Sequence, residues 1–344
     1  MNTERWTAWA LSAVLLASAV GAGVGAGAGA GAGAPASTAQ EDGPIEITDW
    51  NDLDSLHSYD GSSGRDIVLK NDLNASTRGY ESVAGPDANG GKGFDPIRFR
   101  YVYRGTIDGR NHEIADLVVD RPDSEEAALF ADLNAFATVE NLVLANVSVT
   151  GKDNVGALVG VNWAVVRNVT VSGTVEGESY VGGVAGTNYD NNLDDRDAGI
   201  VANASVNASV SGGLVVGGVV GDNDGVIDRT SATGSVVGRD GPGGSGQIVG
   251  GIAGTNENTI VRSYTAGEVR GTRRVGGIVG KGDGTVERTY SLSDVSADSA
   301  AGGIIGLATY GDRVGVRNSY AAGRVSGDED VGGAVGKSRT TGVT

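Results

Sequence analysis

The feature that most constrains this chain is a glycine-rich hexad written seven times: Val155–Gly160, Val181–Gly186, Val216–Gly221, Val249–Gly254, Val275–Gly280, Ala301–Gly306 and Val331–Gly336. An apolar residue follows each of the first six, at Val166, Val201, Ile227, Ile260, Val286 and Val316. Nine residues further on there is always a valine: Val175, Val210, Val236, Val269, Val295 and Val325. Six more residues reach the next hexad, except after Val236, where seven extra residues intervene. The shortest repeat is therefore 26 residues, and the remaining extra length falls after Gly186 and after Gly306. Stacked coils produce this pattern, because loops bulge outward while inward columns keep their register.

A unit this short cannot bury a face alone. It has no helical periodicity, only short β-branched runs broken by Gly, Asp, Asn and Ser. Coils of three short strands, stacked in parallel at about 4.8 Å, would align the valines from Val175 to Val325 as one internal ladder. Each buried valine stabilises by roughly 1.5 kcal/mol or more, so the ladder supplies the core. The paired glycines carry an entropic cost, which suggests a tight corner or a close approach that a Cβ would obstruct. The predicted fold is all-β: a right-handed parallel β-helix, or β-solenoid, with coils of about 26 residues.

The hexads resemble the GLUG motif, a Gly-Leu-any-Gly repeat of bacterial and archaeal surface proteins and of the stalks of some secreted IgA-type peptidases. Here it reads GALVG at Gly156–Gly160, then GGVAG, GGVVG, GGIAG, GGIVG, GGIIG and GGAVG. Asp66–Leu73, Phe94–Ile97 and Gly105–Gly109 fit the usual lead-in of such proteins, so the likeness runs from about Ile45 onward. The resemblance implies a parallel β-helix at a cell surface and says little about activity.

Composition bounds the function. The formal charge is −17 and argues against nucleic acid, which needs a basic stripe. No cysteine is present, which excludes disulfides, thiolate metal sites and cysteine lipidation. Lysine is scarce, arginine preferred and aspartate abundant, as in proteins of extreme halophiles, whose carboxylates keep the surface hydrated in salt.

Residues 1–36 read as a signal peptide and a Gly/Ala-rich segment: the apolar run Trp9–Val20 is short for a membrane span, and no span is expected in the mature chain. An uncleaved anchor is the alternative. Residues 37–136 read as an N-terminal cap with the first coils, and 137–344 as the repeat solenoid. Thr48, before Asp49, Trp50, Leu53 and Leu56, is placed as the N-cap of a short helix that covers the first coil. Strands are predicted at Ile67–Leu69, Ile97–Tyr103, Ile107 and Ile114–Val119, with Glu125–Phe130 and Val139–Val149 leading into the first hexad. After Gly336 only Lys337–Thr344 follow, too few for the last coil's remaining strands; either the polypeptide continues or that end pairs with something else.

Chemistry is sparse. Of two histidines, His57 and His112, the second begins His112-Glu113, but Asp116 stands where a zinc-peptidase helix needs its second histidine. His112 is expected in a turn after Asp108. Glu268 and Asp294 both precede a column valine and should stack one strand spacing apart, with Arg324 at the same position in the next coil. A glycan-cleaving enzyme would need such a carboxylate pair; a solvated ladder is the plainer expectation. Tyr264, Tyr290 and Tyr320 share a column and form either a platform for a sugar or a purely structural stack. Asp190–Asp197 is the densest acidic cluster but lacks EF-hand spacing, which leaves calcium there open. Asn74, Asn146, Asn168, Asn203 and Asn207 each open an Asn-X-Ser/Thr sequence, the acceptor pattern for N-glycosylation in an exported chain. No cofactor is implied, and no catalytic residue. The reading is an exported, non-catalytic surface adhesion or binding module whose partner is a glycan or envelope protein. A glycan-cleaving β-helix or a plain stalk is the alternative.

Overall fold

A computed structural model describes residues 43–190, 199–239, 247–309 and 315–339. The residues from Asp42 onward form one compact unit. The segment expected to be a signal peptide, and the acidic cluster beyond Asp190, lie outside the described residues.

The structure is a parallel β-solenoid. Each hexad folds back on itself. Its first half contributes to a seven-stranded sheet, and its second half to an eight-stranded one that begins at Phe130–Leu133. The rest of each coil belongs to a twenty-stranded sheet forming the long face. The expected ladder is present: Val149, Val175, Val210, Val236, Val269, Val295 and Val325 pair in one register. A second column runs Ile45, Ile67, Ile107, Val139, Val166, Val201, Ile227, Ile260, Val286 and Val316. From Val166 to Val286 these side chains are wholly buried, so the apolar stripe is a continuous core.

The three glycines of a hexad answer three different constraints. A Cβ on Gly276 would strike the Val279 carbonyl oxygen across the fold-back, and one on Gly277 the Gly303 carbonyl oxygen of the next coil. One on Gly280 would lie 2.6 Å from the Val249 nitrogen of the coil before. In this hexad a side chain at any of the three would collide with backbone, whereas the first hexad carries Ala157 at the middle position.

The long face is not one short strand per coil. In three coils it is a single 13-residue strand, Thr138–Thr150, Val165–Gly177 and Ile200–Gly212. In later coils it divides into short pieces, such as Val226–Asp228, Ser231–Ala232 and Val236–Gly238. A bend recurs in every one of these coils at a left-handed residue: Asn141, Asn168, Asn203, Arg229, Arg262, Arg288 and Asn318, with φ between +51° and +54°. Asparagine tolerates that conformation better than most residues.

The N-terminal region departs from expectation in three places. The N-cap of helix α1 (Trp50–Asp54) is Asp49, not Thr48: Asp49 Oδ1 accepts from the Asn51 and Asp52 amides at 2.9 and 3.1 Å. Thr48 instead donates its amide to the Asp52 carboxylate, the reciprocal half of a capping arrangement. Ile97–Tyr103 is not a strand; only Ile97 bridges, to Phe130, and the following residues leave the sheet. Ile114–Val119 is broken into Glu113–Ala115 and Val118–Asp120 by Asp116, whose φ is +62°. The helix does pack over the end of the core, burying Trp50 and Leu53 beside Ile47, Ile67 and Leu69.

Candidate functional site

The long outer face carries rows of chemistry because strand register repeats each position one coil on. Tyr264, Tyr290 and Tyr320 are direct register partners. Their rings stack with centroids 5.0 and 5.3 Å apart and planes within 7°. Tyr264 and Tyr290 are half-buried, and Tyr320 is 56% exposed. Four residues on, Glu268 pairs in register with Asp294. Glu268 is bound to Arg270, and Asp294 Oδ1 accepts from the Arg324 amide at 2.9 Å, so both carboxylates already have partners. On the other side of the tyrosines lie Arg262, held by both Asp228 oxygens at 2.7 and 2.6 Å, and Arg288, 3.4 Å from Glu287. The face thus sets an aromatic row between two charged rows.

The asparagines of the Asn-X-Ser/Thr sequences sit at positions with their own backbone reasons. Asn146, Asn168 and Asn203 are exposed left-handed residues. Asn146 Nδ2 donates to Asp116 and Asn168 Nδ2 to Asn141 Oδ1, at 2.8 and 3.1 Å. Asn74 Oδ1 closes a turn by accepting the Ser76 amide at 2.9 Å. Asn207 is exposed within a strand, opposite Ser172. His57 bridges the Asp54 and Asp95 carbonyls, and the His112 amide closes a turn to Gly109 while its ring Nδ1 lies 2.9 Å from Asp72 Oδ1. Among the described residues no group of three or more acidic or histidine side chains is arranged to hold a metal ion.

Three features escaped the sequence reading. Asn162, Asn188, Asn223 and Asn256 form a fully buried ladder, each amide donating to the next Oδ1 at 2.8, 2.7 and 2.8 Å. The signal was an asparagine two residues after four successive hexads. Beside it, Asp224 is half-buried among carboxylates. Desolvation first, then Asp222, Glu257, Asp190 and Asp283, push its pKa up to about 6. Finally, the segment leaving the sheet after Ile97 lines a pocket of about 350 Å³ with Phe99, Tyr101, Val102, Asp132 and Trp163. Trp163 stacks on Tyr189 at 5.2 Å, and Tyr101 is 53% exposed.

Fold and faces together define the class: a parallel β-solenoid of repeated coils whose outward positions form continuous rows. Two curated proteins are similar to parts of it. Halomucin of Haloquadratum walsbyi (strain DSM 16790 / HBSQ001) is 35% identical over 147 residues, which are 42% of this chain and 2% of that protein. Immunoglobulin A1 protease of Streptococcus sanguinis is 37% identical over 98 residues, 28% of this chain and 5% of that protein. The chain therefore spans a very small share of the relatives it matches. A solved structure of a Bacteroides ovatus protein, provisionally named an immunoglobulin A1 protease, superposes with a TM-score of 0.53. It covers 88% of this chain and 85% of its own at 19% identity, a likeness of fold. No protein-family model matches the chain. Among the described residues no helix is long and apolar enough to cross a membrane.

Proposed function

We propose that this chain is an exported, non-catalytic β-solenoid that acts as a cell-surface adhesion or binding module. Its long outer face meets a surface glycan or an envelope protein. The observation that carries this reading is the stack of Tyr264, Tyr290 and Tyr320 between rows of arginine and carboxylate. Aromatic faces take the C–H side of sugar rings while the charged rows hydrogen-bond hydroxyls, and a rigid scaffold holds both without ordering cost on binding. Surface or secreted placement is supported by the leader-like Met1–Val20 and by the likeness to Halomucin and to an immunoglobulin A1 protease. Asn203 and Asn207 are the best placed of the five asparagines for a glycan of the chain's own, being exposed and without a side-chain bond to another described residue.

A stalk role is the second reading, favoured by the small fraction of each relative that this chain spans. Against glycan cleavage stand the existing partners of Glu268 and Asp294. The test is a glycan array probed with the purified folded chain, beside a Tyr290→Ala variant. Binding that weakens by about tenfold or more in the variant is the expected outcome, equivalent to about 1.4 kcal/mol. A folded chain that binds nothing on the array would leave the stalk reading.

A further inference from the structure

A second outward feature has the opposite character to most of this acidic surface. Near the corner where the two hexad sheets meet, Arg273, Arg274, Lys337 and Arg339 line a pocket of about 360 Å³. Its shape follows from register. Arg274 occupies the outward position that Ile248 fills one coil earlier and Ala300 one coil later. The single methyl of Ala300 leaves space beside the guanidinium. From the other sheet, Leu307 lies between Lys281 and Lys337 in the same column. Ala300 and Leu307, each 3% exposed, make a small apolar floor under cationic walls.

Only one of the four cations is paired from within. Lys337 is paired with Asp330 at 2.6 Å. Arg273, Arg274 and Arg339 form no ion pair with any described residue, although the chain has 43 acidic side chains against 26 basic ones. One carboxylate, Glu329, lines the pocket without bonding to any of them. Burial, and then the like charges of Arg273 and Arg339, hold Arg274 below the usual guanidinium range. Three guanidiniums crowded together in an acidic protein repel one another, and an oxyanion placed among them relieves that repulsion while accepting forked hydrogen bonds.

We propose that this pocket binds the carboxylate or sulfate groups of an acidic polysaccharide, with the sugar ring against Ala300 and Leu307. The proposal rests on the reading of the chain as a glycan-binding module and names a second site and a ligand class for it. A lone anion would use the charges but not the apolar floor, and a neutral sugar would leave the guanidiniums unrelieved.

The test measures binding of the full chain to polygalacturonate, dextran sulfate and neutral dextran at about 0.1 M salt, where contacts within about 10 Å are still felt. The variants are Arg273→Ala/Arg274→Ala, Arg339→Ala, Arg274→Lys and Tyr290→Ala. At least one acidic polymer is expected to bind and neutral dextran not to compete. Affinity should fall by about tenfold or more in both alanine variants and partly in Arg274→Lys, because an ammonium keeps the charge but not the fork. Arg273 and Arg339 are exposed, so Arg339→Ala and an added single Arg273→Ala variant carry the test if Arg274 proves necessary for folding. Equal binding by wild type and arginine variants overturns the proposal. So does inorganic sulfate that displaces the polymer at equal sulfate content, since the ligand would then be a free anion. Neutral glycans bound through Tyr290 with no acidic polymer bound would overturn the pocket alone, whereas no glycan bound at all would remove both readings.

Discussion

At the scale of single residues, the solenoid repays close packing and punishes unpaired polarity. Asn223 shows this: fully buried, it receives one hydrogen bond from Asn188, donates one to Asn256 Oδ1, and gives another to the Gly225 carbonyl at 2.9 Å. Asn223→Ala strands a donor on one side and two acceptors on the other. Thermal unfolding should show a loss of about 2 kcal/mol or more, the desolvation of groups left without partners; an unchanged midpoint would mean that the ladder is not formed. Asp224, in the adjacent turn, gives a prediction in pH. Its folded pKa, about 6, lies above the unfolded value of about 3.9, so the folded state holds the proton more tightly. Its contribution to stability is therefore present at low pH and lost as pH rises through that window. Asp224→Asn should melt higher than the wild type at about pH 7 and match it near pH 4, and midpoints that agree at both values would contradict the assignment.

At the scale of elements, the unit is the coil. The nine-residue span from Val286 to Val295 never varies in length across the repeats, whereas the stretches after Gly186, Val236 and Gly306 do. Both ends of that span point inward, and a slip of one residue would turn Val295 to solvent. Deleting residues 275–300 joins Arg274 to Ala301 and keeps every column in register, so circular dichroism should still report a folded β protein with a modestly lower midpoint. One alanine inserted between Thr289 and Tyr290 should cost more stability than removing the whole coil, measured the same way. The sequence made the columns legible because they recur at fixed spacing. The cap was misplaced by one residue because Thr48 and Asp49 are both good N-caps, and only the position of the Asn51 and Asp52 amides selects between them. Ile97–Tyr103 looked like a strand by composition, but β-propensity measures fit to a half-buried surface, and no neighbouring strand is there to pair with it beyond Ile97.

At the scale of the whole molecule, the solenoid converts a sequence repeat into rows along its outer faces. The sequence alone determined the fold, the inward columns and the outward alignment of Tyr264, Tyr290 and Tyr320, because register in stacked coils is arithmetic on spacing. The tertiary structure alone decided which outward rows come together. Arg274 from one hexad sheet meets Lys337 and Arg339 from the other only because the hexads fold back, and the aromatic pocket at Trp163 exists because a loop from an earlier coil leaves its sheet. Such contacts lie across corners and between coils with insertions, where distance along the chain carries no information about distance in space.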